Sequence, residues 1–277
     1  MTLYHGDCLE VMKTFPDNHF TAIVTDPPYG LKFMGKKWDH GVPCIEYWKE
    51  ALRISQPGTW LLAFGGPKTY HRLTCSIEDA GWEIRDCIMW MYGSGFPKSK
   101  GCLKPAYEPI LLARKAASLP KLNIEKCRIP TFAKSFSDKR FCKSNEVYGK
   151  FNPYDYDGSL GRWPTNIILD EEAAQMLDEC GGLMPNKEHD DKGGTSRFFY
   201  CAKASPSERK EGFHPTVKPL KLMKYLITLV TPNDNNLMLD PFAGSGTTLV
   251  AAKELGIDCV GIEKEETYIE IIKRRTQ

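Results

Sequence analysis

No Cys-x-x-Cys pair occurs among the ten cysteines of this 277-residue chain, which stand singly from Cys8 to Cys259. A tetrahedral zinc site normally uses such pairs, so no metal centre is expected. Reduced, mostly buried thiols of a cytosolic protein fit the spacing better. No apolar run approaches the roughly 18 residues of a membrane-spanning helix. The opening residues, Met1-Thr2-Leu3-Tyr4-His5-Gly6-Asp7, carry neither a basic segment nor an apolar core. No secretory leader is expected from them, and a cytoplasmic location follows as an expectation. A strong net charge is missing too, because 37 Lys and Arg nearly balance 35 Asp and Glu. That balance hides an asymmetry: from Arg114 to Lys150 ten basic residues face three acids, Glu125, Asp138 and Glu146. Such a local excess suits contact with a polyanion along one face.

What is present reads as an α/β protein. Apolar residues make up 42% of the chain and charged residues 26%, enough for a sizeable core. Short apolar runs at Thr2–Tyr4, Phe20–Val24, Thr59–Phe64, Glu83–Met91 and Tyr107–Ala113 read as strands. Helices are expected over Leu9–Met12, Ile45–Ile54 and Lys68–Ala80. From about 120 to 160 the periodicity dissolves into Lys, Ser, Asn, Gly and Pro. Order returns at Arg162–Asp170, with a helix over Glu171–Cys180 and a strand-like Phe198–Cys201. The last segment is sharper: a helix at Leu220–Val230, a strand at Asn236–Asp240, a helix at Leu249–Leu255, a strand at Cys259–Glu263, and a closing helix at Glu265–Arg274. Alternating strands and helices are the pattern of a doubly wound, mostly parallel sheet. Three regions are expected: 1–117 as one half of that sheet, 118–205 as an insertion beside it, and 206–277 as the other half.

Two stretches carry chemistry. Asp26-Pro27-Pro28-Tyr29 follows the Phe20–Val24 strand, and in such sheets the loops past the strand ends meet ligands. Two prolines stiffen this loop and remove two N–H donors, leaving a carboxylate, carbonyl acceptors and an aromatic face. That set suits an amino group on a flat ring; a rigid strand-to-loop turn with an exposed Asp is the plainer alternative. The second stretch is Asp240-Pro241-Phe242-Ala243-Gly244-Ser245-Gly246-Thr247-Thr248, a glycine loop between a strand and a helix. Glu263 ends the following strand, 17 residues after Gly246. No Gly-Lys-Ser/Thr follows the loop, which excludes a Walker phosphate loop, and Thr247 and Thr248 stand where a dinucleotide fingerprint has its third glycine. Nucleotide-type binding at a helix N-terminus and a plain tight turn remain, and the strand before and the acid after favour binding.

These two motifs, with His214-Pro215-Thr216-Val217-Lys218-Pro219, resemble the amino-methylating DNA methyltransferases, which use S-adenosylmethionine. The catalytic motif precedes the cofactor loop, with a basic insertion between them, and that order resembles the family's β class. Trp38-Asp39, Lys104-Pro105-Ala106-Tyr107-Glu108-Pro109 and Arg197-Phe198-Phe199-Tyr200-Cys201-Ala202-Lys203 are similar to members found in phages and prophages. The resemblance implies a circularly permuted, seven-stranded, Rossmann-like methyltransferase sheet with an inserted target-recognition region.

It also implies roles. The Asp26 carboxylate and the Pro27 carbonyl would accept the two N–H bonds of the target amino group, Pro28 would hold the loop rigid, and Tyr29 would stack on the base. A base inside a duplex cannot reach such a pocket, so it would be flipped out. Asp7, Thr216, Lys218, Asp240, Pro241, Phe242, Gly244, Ser245, Gly246, Thr247 and Glu263 would bind S-adenosylmethionine, Glu263 through the ribose hydroxyls. Asp7 has a plainer alternative as the N-cap of the first helix. Lys36, Lys37, Lys98, Lys100, Lys104, Arg128, Lys139 and Arg140 are candidate DNA phosphate contacts. Double-stranded DNA is the expected partner and no membrane is; a homodimer, a cognate restriction nuclease or an orphan enzyme stay open. Asp at position 26, where cytosine-N4 enzymes commonly carry Ser, favours adenine N6 as the target, with cytosine N4 the alternative. A catalytically dead DNA-binding relic and an RNA methyltransferase are the rival readings.

Overall fold

Nine strands lie in one open sheet among the residues that the computed structural model describes, which are 1–31, 39, 41–97, 100–117, 121–131, 160–181, 193–202, 218–232 and 235–277. They are β1 (Thr2–His5), β2 (Phe20–Thr25), β3 (Ser55–Phe64), β4 (Glu83–Met91), β5 (Tyr107–Arg114), β6 (Ile167–Leu169), β7 (Tyr200–Cys201), β8 (Leu237–Asp240) and β9 (Asp258–Glu263). Their spatial order is β1-β9-β8-β2-β3-β5-β4-β6-β7. Only β5 runs antiparallel, to β3 on one side and β4 on the other. The central runs Ala22-Ile23-Val24 and Leu61-Leu62-Ala63-Phe64 are fully buried. Continuous burial of this kind is what a parallel sheet covered on both faces requires.

Helices α1 (Cys8–Met12), α2 (Ile45–Ile54) and α3 (Tyr70–Asp79) cover one face. There Met12, Phe20, Trp48, Ile54, Leu73, Ile77 and Trp82 pack together. Each large side chain buried in this way contributes roughly 1.5–3 kcal/mol. The indoles also spend their N–H groups inside the core: Trp48 Nε1 donates to the Pro43 carbonyl at 3.3 Å and Trp82 Nε1 to the Trp48 carbonyl at 3.0 Å. Helix α4 (Glu171–Gly181) lies beside β6. Helices α5 (Leu220–Val230) and α6 (Thr247–Glu254) cover the opposite face, packing Leu226 and Leu249 against Val24, Leu62 and Ile88. Helix α7 (Glu266–Arg275) closes the β1/β9 edge.

β2 and β8 are neighbours, with Ala22 opposite Met238 and Ile23 opposite Leu239. From this pair the chain winds outward in both directions, through α2 to β3 and through α6 to β9, on opposite faces. A crevice opens at such a switch point, beyond the strand C-termini.

Four expectations change. The seven strands expected are joined by β6 and β7, so the described part of 118–205 extends the sheet instead of lying beside it: β6 pairs with β4, and β7 with β6. Phe198 ends a short 3₁₀ turn, Thr195–Phe198, and only Tyr200–Cys201 is strand. β3 begins at Ser55, directly after α2, and carries Pro57 and Gly58 through a register shift against β2. Of the nine described cysteines, only Cys8, Cys127 and Cys259 are buried, so the thiols are not mostly buried.

Candidate active site

Four parallel strands end in acids along one sheet edge. Asp7 follows β1, Glu263 ends β9, Asp240 ends β8, and Asp26 follows β2. These strands are consecutive in the sheet, so at roughly 4.8 Å per strand the row spans about 14 Å.

The Asp26-Pro27-Pro28-Tyr29 loop is fixed from several sides. Thr69 Oγ1 donates to the Tyr29 carbonyl at 2.6 Å. The Gly30 and Leu31 N–H groups donate to the two carboxylate oxygens of buried Asp39, at 2.7 and 3.1 Å. Gly30 turns the chain at φ +68°, where a Cβ would come within about 3 Å of the Gly41 backbone. The Pro27 carbonyl accepts no hydrogen bond among the described residues. Thr25 Oγ1 donates to Asp240 Oδ1 at 2.7 Å, joining the ends of β2 and β8.

Asp26 is the hub of a polar cluster. Lys218 Nζ donates to Asp26 Oδ2 at 2.7 Å and lies 3.2 Å from Glu108 Oε2. The Tyr29 hydroxyl stands 2.8 Å from Asp26 Oδ1 and 2.9 Å from Glu108 Oε2. Lys218 is only 7% exposed, its ammonium 5.4 Å from the centre of the Tyr29 ring and 5.0 Å from that of Phe64. Burial pulls the Lys218 pKa down, but Asp26 and Glu108 outweigh it and lift the group above the ordinary lysine value. Burial, then Asp26 and Glu108, push the Tyr29 phenol well above its ordinary range, so it stays protonated.

Further along the row, Glu263 is buried and accepts three backbone N–H groups: Gly244 at 2.7 Å, Lys264 at 2.9 Å and Glu265 at 2.8 Å. Burial still raises its pKa against those hydrogen bonds. Asp240 is buried beneath the glycine loop, accepting also the Phe242 N–H at 3.1 Å. Desolvation pushes it up to about 6, although Thr25, Thr248 and Phe242 hydrogen bonds oppose the shift. Gly244 and Gly246 are left-handed, at φ +54° and +82°. A Cβ on Gly246 would strike Ile272 at 2.8 Å, whereas one on Gly244 would meet only the Phe242 carbonyl, at 4.0 Å. Gly246 is therefore required by packing, while Gly244 borders open space. Arg275 of α7 braces the loop, donating to the Ser245 carbonyl at 2.7 Å and lying 3.1 Å from both Ser245 Oγ and Thr247 Oγ1.

The structure therefore brings together Asp26, Pro27, Pro28, Tyr29 and Lys218 at one pole. Asp240, Pro241, Phe242, Gly244, Ser245, Gly246, Thr247 and Glu263 form the other. Lys218, expected beside the cofactor, stands against Asp26. Asp7 does cap α1, accepting the Leu9 N–H at 3.0 Å, and its other oxygen lies 3.2 Å from Lys264 Nζ. Lys100 and Lys104 are exposed in the loop between β4 and β5. Arg128 is committed internally, paired with Glu125, donating to the Gly161 carbonyl and lying 5.1 Å from the Trp163 ring centre. Thr216, Lys36, Lys37, Lys98, Lys139 and Arg140 lie outside the described residues. Glu108, Asp39 and Arg275 were not among the expected site residues. The missing signal for Glu108 was strand direction: among the described residues no helix separates β4 from β5, and β5 returns antiparallel and starts at the edge where the others end.

Comparison with known proteins fits this geometry. A family model of the N6/N4 type, described as DNA methylase, matches residues 20–274. The DNA adenine methyltransferase YhdJ of Escherichia coli K12 is 27% identical over 289 residues, covering 99% of this chain and 82% of the relative. The solved M1.HpyAVI–SAM complex superposes with a TM-score of 0.57 at 22% identity, over 100% of this chain and 98% of that one. The PvuII cytosine-N4-specific DNA methyltransferase superposes with a TM-score of 0.60 at 19% identity, over 99% and 86%.

Proposed function

The chain belongs to the DNA methylase family of N6 and N4 enzymes, and on that premise we propose that it transfers a methyl group from S-adenosylmethionine to the exocyclic N6 of an adenine flipped out of duplex DNA. The observation that carries this reading is the Asp26 carboxylate held rigidly at the switch-point edge, beside the loop that borders open space at Gly244.

The glycine-loop pole suits the cofactor. Gly244 leaves a gap that any side chain would fill, and a carboxylate has about four acceptor sites, so Glu263 keeps capacity for a ribose hydroxyl beyond its three backbone partners. Gly244, Ser245, Gly246 and Thr247 offer the start of α6 to a carboxylate. When bound, S-adenosylmethionine supplies an electrophilic methyl group on a sulfonium. The chain's own work is then to aim the nucleophile. An adenine amino nitrogen has its lone pair spread into the ring; acceptors on both N–H bonds draw it toward tetrahedral geometry. Asp26 retains a free lone pair beyond Tyr29 and Lys218, and the Pro27 carbonyl is the second acceptor. The Tyr29 ring provides a face for the base. Placement and fixed charge of this kind supply the rate.

Asp26 and the adenine enzyme YhdJ support N6 as the target; the PvuII likeness keeps cytosine N4 as the alternative. Duplex DNA is the partner this reading needs, with Lys100 and Lys104 as exposed phosphate contacts and 118–205 as the target-recognition region. No described helix is long and apolar enough to cross a membrane, consistent with action on DNA in the cytoplasm. Incubation with unmethylated plasmid and S-adenosylmethionine, followed by nucleoside mass spectrometry, tests the assignment. N6-methyladenine is the expected product; N4-methylcytosine alone overturns the adenine assignment.

A further inference from the structure

One phenol stands between two carboxylates in this site. A tyrosine hydroxyl has a single proton, yet the Tyr29 oxygen lies at hydrogen-bond distance from both Asp26 Oδ1, at 2.8 Å, and Glu108 Oε2, at 2.9 Å. With both carboxylates ionised, one of these two contacts contains no hydrogen. Lys218 supplies separate N–H donors to Asp26 and to Glu108 but none to that gap. The cluster of one ammonium and two carboxylates thus carries a net charge of −1 and is short of one proton. The remaining titratable groups facing it among the described residues are Tyr92 at the end of β4, which feels Glu108 and Lys218, and Asp240 at the end of β8, which feels Asp26.

We propose that Glu108 is the terminal acceptor of the proton released during methyl transfer, reached from Asp26 through the Tyr29 hydroxyl. The inference rests on the amino-methyltransferase reading above. The balance is simple. As the N–CH₃ bond forms and the S–CH₃ bond breaks, the sulfur keeps the bonding electron pair and the amino nitrogen becomes positive. That nitrogen then loses one proton to Asp26 Oδ1, Tyr29 passes its own hydroxyl proton to Glu108 Oε2, and it takes the proton held by Asp26. Asp26 and Tyr29 end as they began, Glu108 is protonated, and the cluster becomes neutral. The missing hydrogen is filled by the one the reaction releases. Glu108 is suited to this place because β5 runs antiparallel and sets Glu108, its second residue, opposite Trp90, at the same edge as the Asp26 loop.

Two measurements test it. In the ligand-free protein, carbon-13 NMR titration should find the Asp26 and Glu108 carboxyl signals moving together in a shared step, and moving separately in Tyr29→Phe. In a single turnover with duplex DNA, in weakly buffered solution with an indicator dye, proton release should lag methyl transfer by wild-type protein. The lag should vanish in Glu108→Gln and Tyr29→Phe. Glu108→Gln should also lower kcat at least tenfold, within the range of general acid–base contributions, while the KM values for DNA and S-adenosylmethionine change less than twofold. Independent titration of the two carboxyls in wild-type protein, or proton release in step with methyl transfer, overturns the relay. Absence of any methyl transfer to DNA by wild-type protein overturns the underlying reading as well.

Discussion

Lys218 donates to the Asp26 carboxylate at 2.7 Å across 192 residues of intervening sequence. The two halves of the sheet are thereby joined inside the site, since Asp26 follows β2 and Lys218 immediately precedes Pro219 at the start of α5. An ammonium that is 8% exposed at its side chain and faces two carboxylates is more than a surface ion pair. Its removal would leave two like charges facing one another with only a phenol between them.

Lys218→Met is expected to cost roughly 2 kcal/mol of stability. That is below the ~3–5 kcal/mol of breaking a fully buried pair, because Asp26 and Glu108 are 29% and 20% exposed and water screens them. Methyl transfer should fall by about two orders of magnitude, the scale of losing one fixed electrostatic group. Urea titration and rates on duplex DNA check both; a variant as stable and as active as wild type would contradict the pairing.

Much of this was legible in the sequence. β2, α2, α5, β8 and β9 stand where their apolar runs place them, because each is buried continuously or along one stripe and periodicity reports burial. The strand-end positions of Asp26 and Glu263 and the turn at Gly244 were legible as well, since strand-end acids and glycine turns are local signals. Glu108 and the position of Lys218 were not. Both depend on strand direction and on the return of α5 across the sheet, which no local pattern encodes. Arg128 shows the reverse limit: its charge marked it for a phosphate, while Glu125, three residues before it, is its partner here.

Asp240 gives a pH prediction. Its carboxyl is raised from 3.8 to about 6 by burial, so the folded state holds its proton more tightly than the unfolded chain. The stability this contributes is complete below about pH 4 and is lost as pH rises through 6. Two pH units at about 1.4 kcal/mol each set an upper size of roughly 3 kcal/mol. Asp240→Asn keeps an acceptor oxygen for Thr25 and Phe242 and removes the ionisation. Its Tm is expected to exceed the wild-type value by several degrees at pH 8 and to match it near pH 4; a lower Tm at pH 8 would contradict the shift.

The two loop glycines should separate. Gly246→Ala places a Cβ at φ +82° and 2.8 Å from Ile272, adding a clash to a left-handed strain of about 1–2 kcal/mol. Gly244→Ala carries similar backbone strain at φ +54° but no close contact. It should be the more stable variant on thermal melting, yet lose at least tenfold in S-adenosylmethionine affinity by calorimetry, because its methyl fills the gap. Equal affinity to wild type would place the cofactor elsewhere.

The most direct test follows a labelled methyl group from S-adenosylmethionine into duplex DNA, with wild-type protein and Asp26→Ala side by side and cofactor binding measured on both. Wild-type protein is expected to label an amino nitrogen of the DNA, while the variant binds the cofactor as well as wild type and transfers at least a hundredfold more slowly. Transfer by Asp26→Ala at the wild-type rate would contradict the central claim that this carboxylate aims the nucleophile.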